Sequence, residues 1–137
     1  MTNEKNPVTH FQPDSEFDPQ VLGQAQFDAL ARLDRGMRRV THDLWAERRR
    51  QEAKWGEQNH DFGYYQGILM EELGEANKEW IEAEAFERKP MQVDGQFNPC
   101  QQELAKHYRK NLRVELVQTL AVLHAMIECG DRNRWFQ

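Results

Sequence analysis

Residues 64–88 read YYQGILMEELGEANKEWIEAEAFER. Tyr65, Leu69, Leu73, Ala76, Trp80 and Ala83 recur there at steps of three and four, the period of one helical face. Glu72, Glu75 and Glu79 run along one edge of that stripe. A carboxylate at the boundary of a core is costly unless something neutralises it. This segment therefore predicts a long helix and points to a chemical site on it. A second long helix is expected from Pro99 or Gln101 to Glu128. Leu104, Tyr108, Leu112, Leu116, Thr119, Leu123 and Met126 form its stripe, with Glu115 at the edge and Gly130 as a stop signal.

Working outward, Gly56 to Gly63 reads as a loop, preceded by a helix from about Met37 to Lys54. Met37, Val40, Leu44 and Trp45 are its expected inner side, and Glu47-Arg48-Arg49-Arg50 its solvated side. Asp18-Pro19 is an N-cap followed by proline at the first helical position. Val21, Leu22, Ala25, Ala29 and Leu33 then carry a first helix ending near Gly36. Residues 1–17 hold Pro7, Pro13 and no sustained period, and read as a flexible arm. Between the two long helices, Pro90, Asp94, Gly95, Asn98 and Pro99 make a break of turn-forming residues. No β-alternation of useful length is present. The expected fold is all-α, a bundle of about four helices over residues 18–137. The first two helices supply few large apolar residues, which points to a core completed by oligomerisation.

The chain has 137 residues and a net charge of −5. Such a length makes one domain, and the acidic balance argues against gripping a nucleic-acid polymer, which calls for a basic surface. It leaves single nucleotides open, because cations can bridge carboxylates to phosphates. Cys100 and Cys129 have no zinc-type spacing and make no disulfide framework, so both read as free thiols. The N-terminus lacks an apolar signal core, and no run approaches the roughly 20 apolar residues needed to cross a bilayer. A cytoplasmic protein without membrane contact is expected.

Glu72 and Glu75 are three residues apart and so share a helical face, as do Glu115 and Gln118. Packed together, these faces would surround one point with four oxygen-bearing side chains. Hard cations such as Mg²⁺ or Mn²⁺ take that kind of ligand set and keep waters that a phosphate can displace. The alternative is a set of ordinary helix-surface charges paired with Lys78 or Arg113.

With Glu72-x-x-Glu75 inside the string EELGE, Glu115-x-x-Gln118 downstream and Lys54-Trp55-Gly56-Glu57-Gln58 upstream, the chain resembles the MazG-like family of all-α nucleoside triphosphate pyrophosphohydrolases. That family shows E-x-x-E followed by E-x-x-D, and phage and bacterial members often carry a KWG stretch ahead of it. The likeness covers roughly residues 48–128. Two departures stand out: Gln118 replaces the family's Asp, and the interval between Glu75 and Glu115 is longer than usual.

The resemblance implies metal-dependent hydrolysis of (deoxy)nucleoside triphosphates between the α and β phosphates, releasing a monophosphate and pyrophosphate. It implies Glu72, Glu75, Glu115 and Gln118 as the set around Mg²⁺ or Mn²⁺, with Glu75, then Glu72, as the proton acceptor. Lys54, Lys78 and Arg113 become candidates for the triphosphate, Asn111 for sugar or phosphate, and Trp55 for the base. Each also has a plain reading as a solvated or core side chain. His60, His107 and His124 read as solvent or core histidines. A homodimer or homotetramer is implied. The base preference is left open, with guanine as one candidate. Two other functions remain: hydrolysis of phosphoribosyl-ATP, and a non-catalytic protein binding a nucleotide or partner through the same acidic groove.

Overall fold

The computed structural model describes residues 23–88, 92–93, 96–97 and 99–137. The expected arm over 1–17 and the Asp18-Pro19 helix start lie outside them. The protein is all-α, with four helices among the described residues: α1 (Gln24–Leu30), α2 (Arg35–Trp55), α3 (Phe62–Arg88) and α4 (Pro99–Arg132). The break between α3 and α4 contains a minimal antiparallel ladder, β1 (Gln92–Val93) against β2 (Gln96–Phe97), with Gln92 opposite Phe97. The chain divides into two compact units, residues 1–42 and 43–137.

In the first unit the expected helix reaching Gly36 is corrected. α1 stops at Leu30, and Gly36 lies in the first turn of α2. The reason is Asp34, whose Oδ1 accepts from the Met37 backbone N–H at 3.0 Å and so starts a new helix. Asp61 does the same for α3, accepting from Tyr64 N–H at 2.8 Å. Both caps place a helix start two residues ahead of the apolar-stripe reading. Met37 and Val40, expected inward, are exposed.

The second unit is organised by the α3–α4 hairpin, the one pair of helices in close backbone contact among the described residues. Small residues let the two helices approach: Ala76 and Ala83 of α3 and Ala105 and Ala121 of α4 are all buried. Tyr65, Val122, Met126 and Cys129 form the main cluster, with Ile68, Leu69, Ala125 and Trp135 packed against it. The expected stripes are partly overturned here. Leu73 and Trp80 on α3, and Leu104, Leu116 and Leu123 on α4, are substantially exposed. Close approach at alanines rotates each helix, so these larger residues turn outward.

The second half of α2 reaches α4 through side chains. Arg48 Nη2 donates to Glu128 Oε2 at 2.6 Å, and Arg113 Nη1 donates to Asp43 Oδ2 at 2.6 Å.

Gly130 is not the stop signal that its position suggests. α4 runs through it, and the helix closes with a Schellman pattern: Trp135 N–H to Gly130 O at 2.9 Å and Arg134 N–H to Asp131 O at 3.4 Å. Arg134 takes the left-handed position with φ 58°. Gly130 is required for a different reason. A Cβ there would meet the Phe136 ring at 2.6 Å and Trp135 at 2.8 Å. The glycine lets the terminal aromatics fold back over the helix end.

Candidate acidic centre and its cavity

Each of Glu72, Glu75 and Glu115 offers a carboxylate oxygen within 4.8 Å of the other two. The antiparallel hairpin produces this meeting, since the middle of α3 lies beside the middle of α4. Burial raises the Glu72 carboxyl above the usual carboxylate range, and the charges of Glu75 and Glu115 raise it further. Burial likewise lifts Glu115, followed by the charges of Glu75 and Glu79. Glu79 Oε2, one helical turn beyond Glu75, is buried with no hydrogen-bond partner among the described residues.

Gln118 joins this group as a donor. With its amide nitrogen toward the carboxylates, Nε2 donates to Glu115 Oε2 and Glu72 Oε2, each at 3.2 Å. It thus ties the two helices across the acidic pair. A neutral amide in this place offsets part of the repulsion between carboxylates without adding a fourth charge.

The donor set fits a hard divalent cation. It is all oxygen, burial and like charges raise two of its carboxyls above the usual carboxylate range, and the neighbouring Glu79 adds a buried oxygen with no hydrogen-bond partner among the described residues.

A cavity of about 750 Å³ opens beside the centre, with Glu72 and Gln118 in its wall. That size suits a small-molecule ligand. Tyr65, Ile68, Val122 and Ala125 give it an apolar side. His60 and Tyr64 also line it, their rings 4.1 Å apart. Trp55 lines it as well, half exposed, with Lys54 Nζ 4.5 Å from its ring centroid. Tyr65 donates its hydroxyl to the Gln58 carbonyl at 3.3 Å, and burial raises its ionisation above the usual tyrosine value.

The remaining sequence candidates lie away from the cavity wall. Lys54 and Lys78 are exposed, Asn111 Nδ2 faces His107 Nε2 at 3.1 Å, and Arg113 is paired with Asp43. The run Glu47-Arg48-Arg49-Arg50, expected to be solvated, needs correction. Only 12% of the Glu47 side chain and 16% of the Arg48 side chain are exposed. Glu47, Arg48 and Arg50 all line the cavity. Arg50 clasps Glu47 through Nε at 2.8 Å and Nη2 at 2.6 Å, which holds the guanidinium pKa above its ordinary value. The negative charge of Glu47 also reaches Glu72 and Glu115. A stripe Leu44, Arg48, Gln51, Trp55 was the sequence signal for this inward face. The charge of Arg48 and the polar amide of Gln51 hid it.

Among the described residues, no helix is long and apolar enough to cross a membrane. No protein-family model, no curated protein and no solved structure matches the chain.

Proposed function

We propose that the protein is a MazG-like, metal-dependent nucleoside triphosphate pyrophosphohydrolase acting in the cytoplasm. The observation that carries this reading is the convergence of Glu72, Glu75 and Glu115 from two helices beside a ligand-sized cavity. Glu72, Glu75 and Glu115 would hold Mg²⁺ or Mn²⁺, with Gln118 orienting Glu72 and Glu115 through its amide. Bound there, the ion would neutralise charge on the phosphate oxygens and lower the pKa of a water beside it. Glu75, exposed and beside Glu115, accepts the proton of the water that attacks the α-phosphorus. The apolar wall at Ile68 and Val122 takes the nucleoside. Trp55, Tyr64 and His60 offer ring faces to the base.

The α3–α4 hairpin also carries Leu73, Trp80, Leu116 and Leu123 on its outer side, between 40% and 49% exposed. Apolar exposure of this kind supports pairing with a second copy.

One observation favours a different reading. Gln118 already bridges Glu72 and Glu115, so the pair is held together without an ion. A non-catalytic nucleotide-binding protein would have that property. The deciding experiment incubates the protein with the NTPs, the dNTPs and phosphoribosyl-ATP in Mg²⁺ or Mn²⁺, reading pyrophosphate and phosphate separately. Pyrophosphate with a nucleoside monophosphate is the expected product. Phosphate alone refutes the reaction, and binding without turnover selects the non-catalytic reading.

A further inference from the structure

Beyond Ile68 and Val122 the cavity changes character. Its wall there holds four carboxylates, Glu52, Glu57, Glu128 and Asp131, against two guanidiniums, Arg48 and Arg132. Both guanidiniums are engaged. Arg48 binds Glu128 at 2.6 Å and Gln51 Oε1 at 3.3 Å, and lies 3.7 Å from Glu52. Arg132 Nη2 donates to the Gln58 carbonyl at 3.0 Å, and its Nε donates to Asn59 Oδ1 at 3.3 Å and lies 3.6 Å from Glu57. The Asp131 carboxylate has no hydrogen bond or ion pair among the described residues. Glu128 meets Arg48 through Oε2 and His124 through Oε1 at 3.4 Å. Each carboxylate oxygen accepts about two bonds, so Glu128 keeps acceptor capacity. This end of the cavity has acceptors to spare and few free donors.

Its distance from the acidic centre identifies what reaches it. Glu128 lies ten residues beyond Gln118 on α4, about 15 Å along the axis, and Asp131 follows one turn later on the same face. With a contact of about 3 Å at each end, that span matches a nucleoside with its α-phosphate. A base held by Ile68, Val122 and Ala125 therefore points its far edge at Glu128 and Asp131.

We infer that this end of the cavity selects nucleotides whose base carries an exocyclic amino group, guanine foremost, with Glu128 and Asp131 as acceptors. The inference rests on the nucleotide reading of the site. Guanine sets its 2-amino group beside N1–H, so two parallel donors face a carboxylate much as a guanidinium does. Uracil, thymine and hypoxanthine offer a single N–H on that edge and leave an acceptor unmatched, which carries a cost.

The test uses dGTP and dITP, which differ only in the 2-amino group, with the full chain in Mn²⁺. The kcat/KM for dGTP should exceed that for dITP by about tenfold, the scale of a charge-assisted hydrogen bond on an open site. Asp131→Ala and Glu128→Gln should each lower kcat/KM for dGTP more than for dITP, bringing the ratio severalfold closer to one. Asp131 is exposed and makes no side-chain bond, so its replacement does not threaten the fold. A wild-type ratio within twofold of one overturns the inference and leaves the pyrophosphohydrolase reading intact. So does a ratio that neither variant changes. Failure to turn over any nucleoside triphosphate, of whatever base, overturns both.

Discussion

Adding Mn²⁺ should stabilise the protein, and Glu72→Gln should change that response in two opposite ways. The starting point is three carboxylate oxygens within 4.8 Å. Two unit charges that far apart repel by about 1 kcal/mol in bulk water and about 3.5 kcal/mol at the effective dielectric of a protein surface. In the metal-free protein, Glu72→Gln removes two such repulsions. It also keeps a carbonyl oxygen that can accept from Gln118. The variant without metal should therefore melt no lower than the wild type, and up to a few degrees higher. With Mn²⁺ at a hundred times its dissociation constant, the wild type gains about 2.7 kcal/mol. For a chain of 137 residues that is about 8 °C in Tm, taking about 3 °C per kcal/mol. Losing one of three ligand charges should weaken the ion by about tenfold, or about 1.4 kcal/mol, so the variant gains about half as much. The assay is differential scanning fluorimetry over a Mn²⁺ titration, with Ca²⁺ as a comparison ion. The reasoning fails if millimolar Mn²⁺ leaves the wild-type Tm unmoved, or if Glu72→Gln melts well below the wild type without metal and responds equally with it.

Gln118→Asp removes the amide that bridges Glu72 and Glu115 and adds a fourth carboxylate. Its metal-free Tm should fall while Mn²⁺ affinity, read by calorimetry, rises several-fold; an unchanged affinity would place Gln118 outside the ion's surroundings. Glu72 and Glu115 both ionise above the ordinary carboxylate value in the folded state. Such groups contribute stability that is present below their unfolded pKa and lost as pH rises through the folded one. The metal-free protein should therefore lose stability as pH climbs through and above the normal glutamate range, and Mn²⁺ should flatten that decline. A pH-melting profile that rises over the interval would contradict it. Leu116→Glu alters a side chain that is 49% exposed, so a lone subunit should fold with it. Light scattering at micromolar concentration should show at least a dimer for the wild type and a smaller species for the variant, whereas a wild-type monomer with full activity would refute the paired hairpin.

Local chemistry made much of the helical framework legible in the sequence. The apolar period placed α3 and α4 within a few residues of their observed spans, because intrahelical geometry depends only on neighbours three and four apart. Asp34 and Asp61 are equally local signals, and they start α2 and α3 where an unsatisfied turn of N–H groups has a carboxylate to meet. The acidic residues were legible too, as Glu72 and Glu75 on one helix and Glu115 on another. Their meeting within 4.8 Å belongs to the tertiary structure. Period identifies a helical face, but which face is buried depends on residues far away in the chain. Ala76 and Ala83 took the contact with α4 because small side chains permit close approach, and that rotation sent Leu73 and Trp80 outward. Arg48 reads as solvated beside its charged neighbours, yet its partner is Glu128, eighty residues away. Gly130 reads as a helix stop, yet what it accommodates is the ring of Phe136. Gln118 reads as one of four side chains around a cation, and the fold sets it between two carboxylates, to which its amide nitrogen donates. In each case the residue type set what chemistry was available, and only the long-range packing of α2, α3 and α4 decided which group received it.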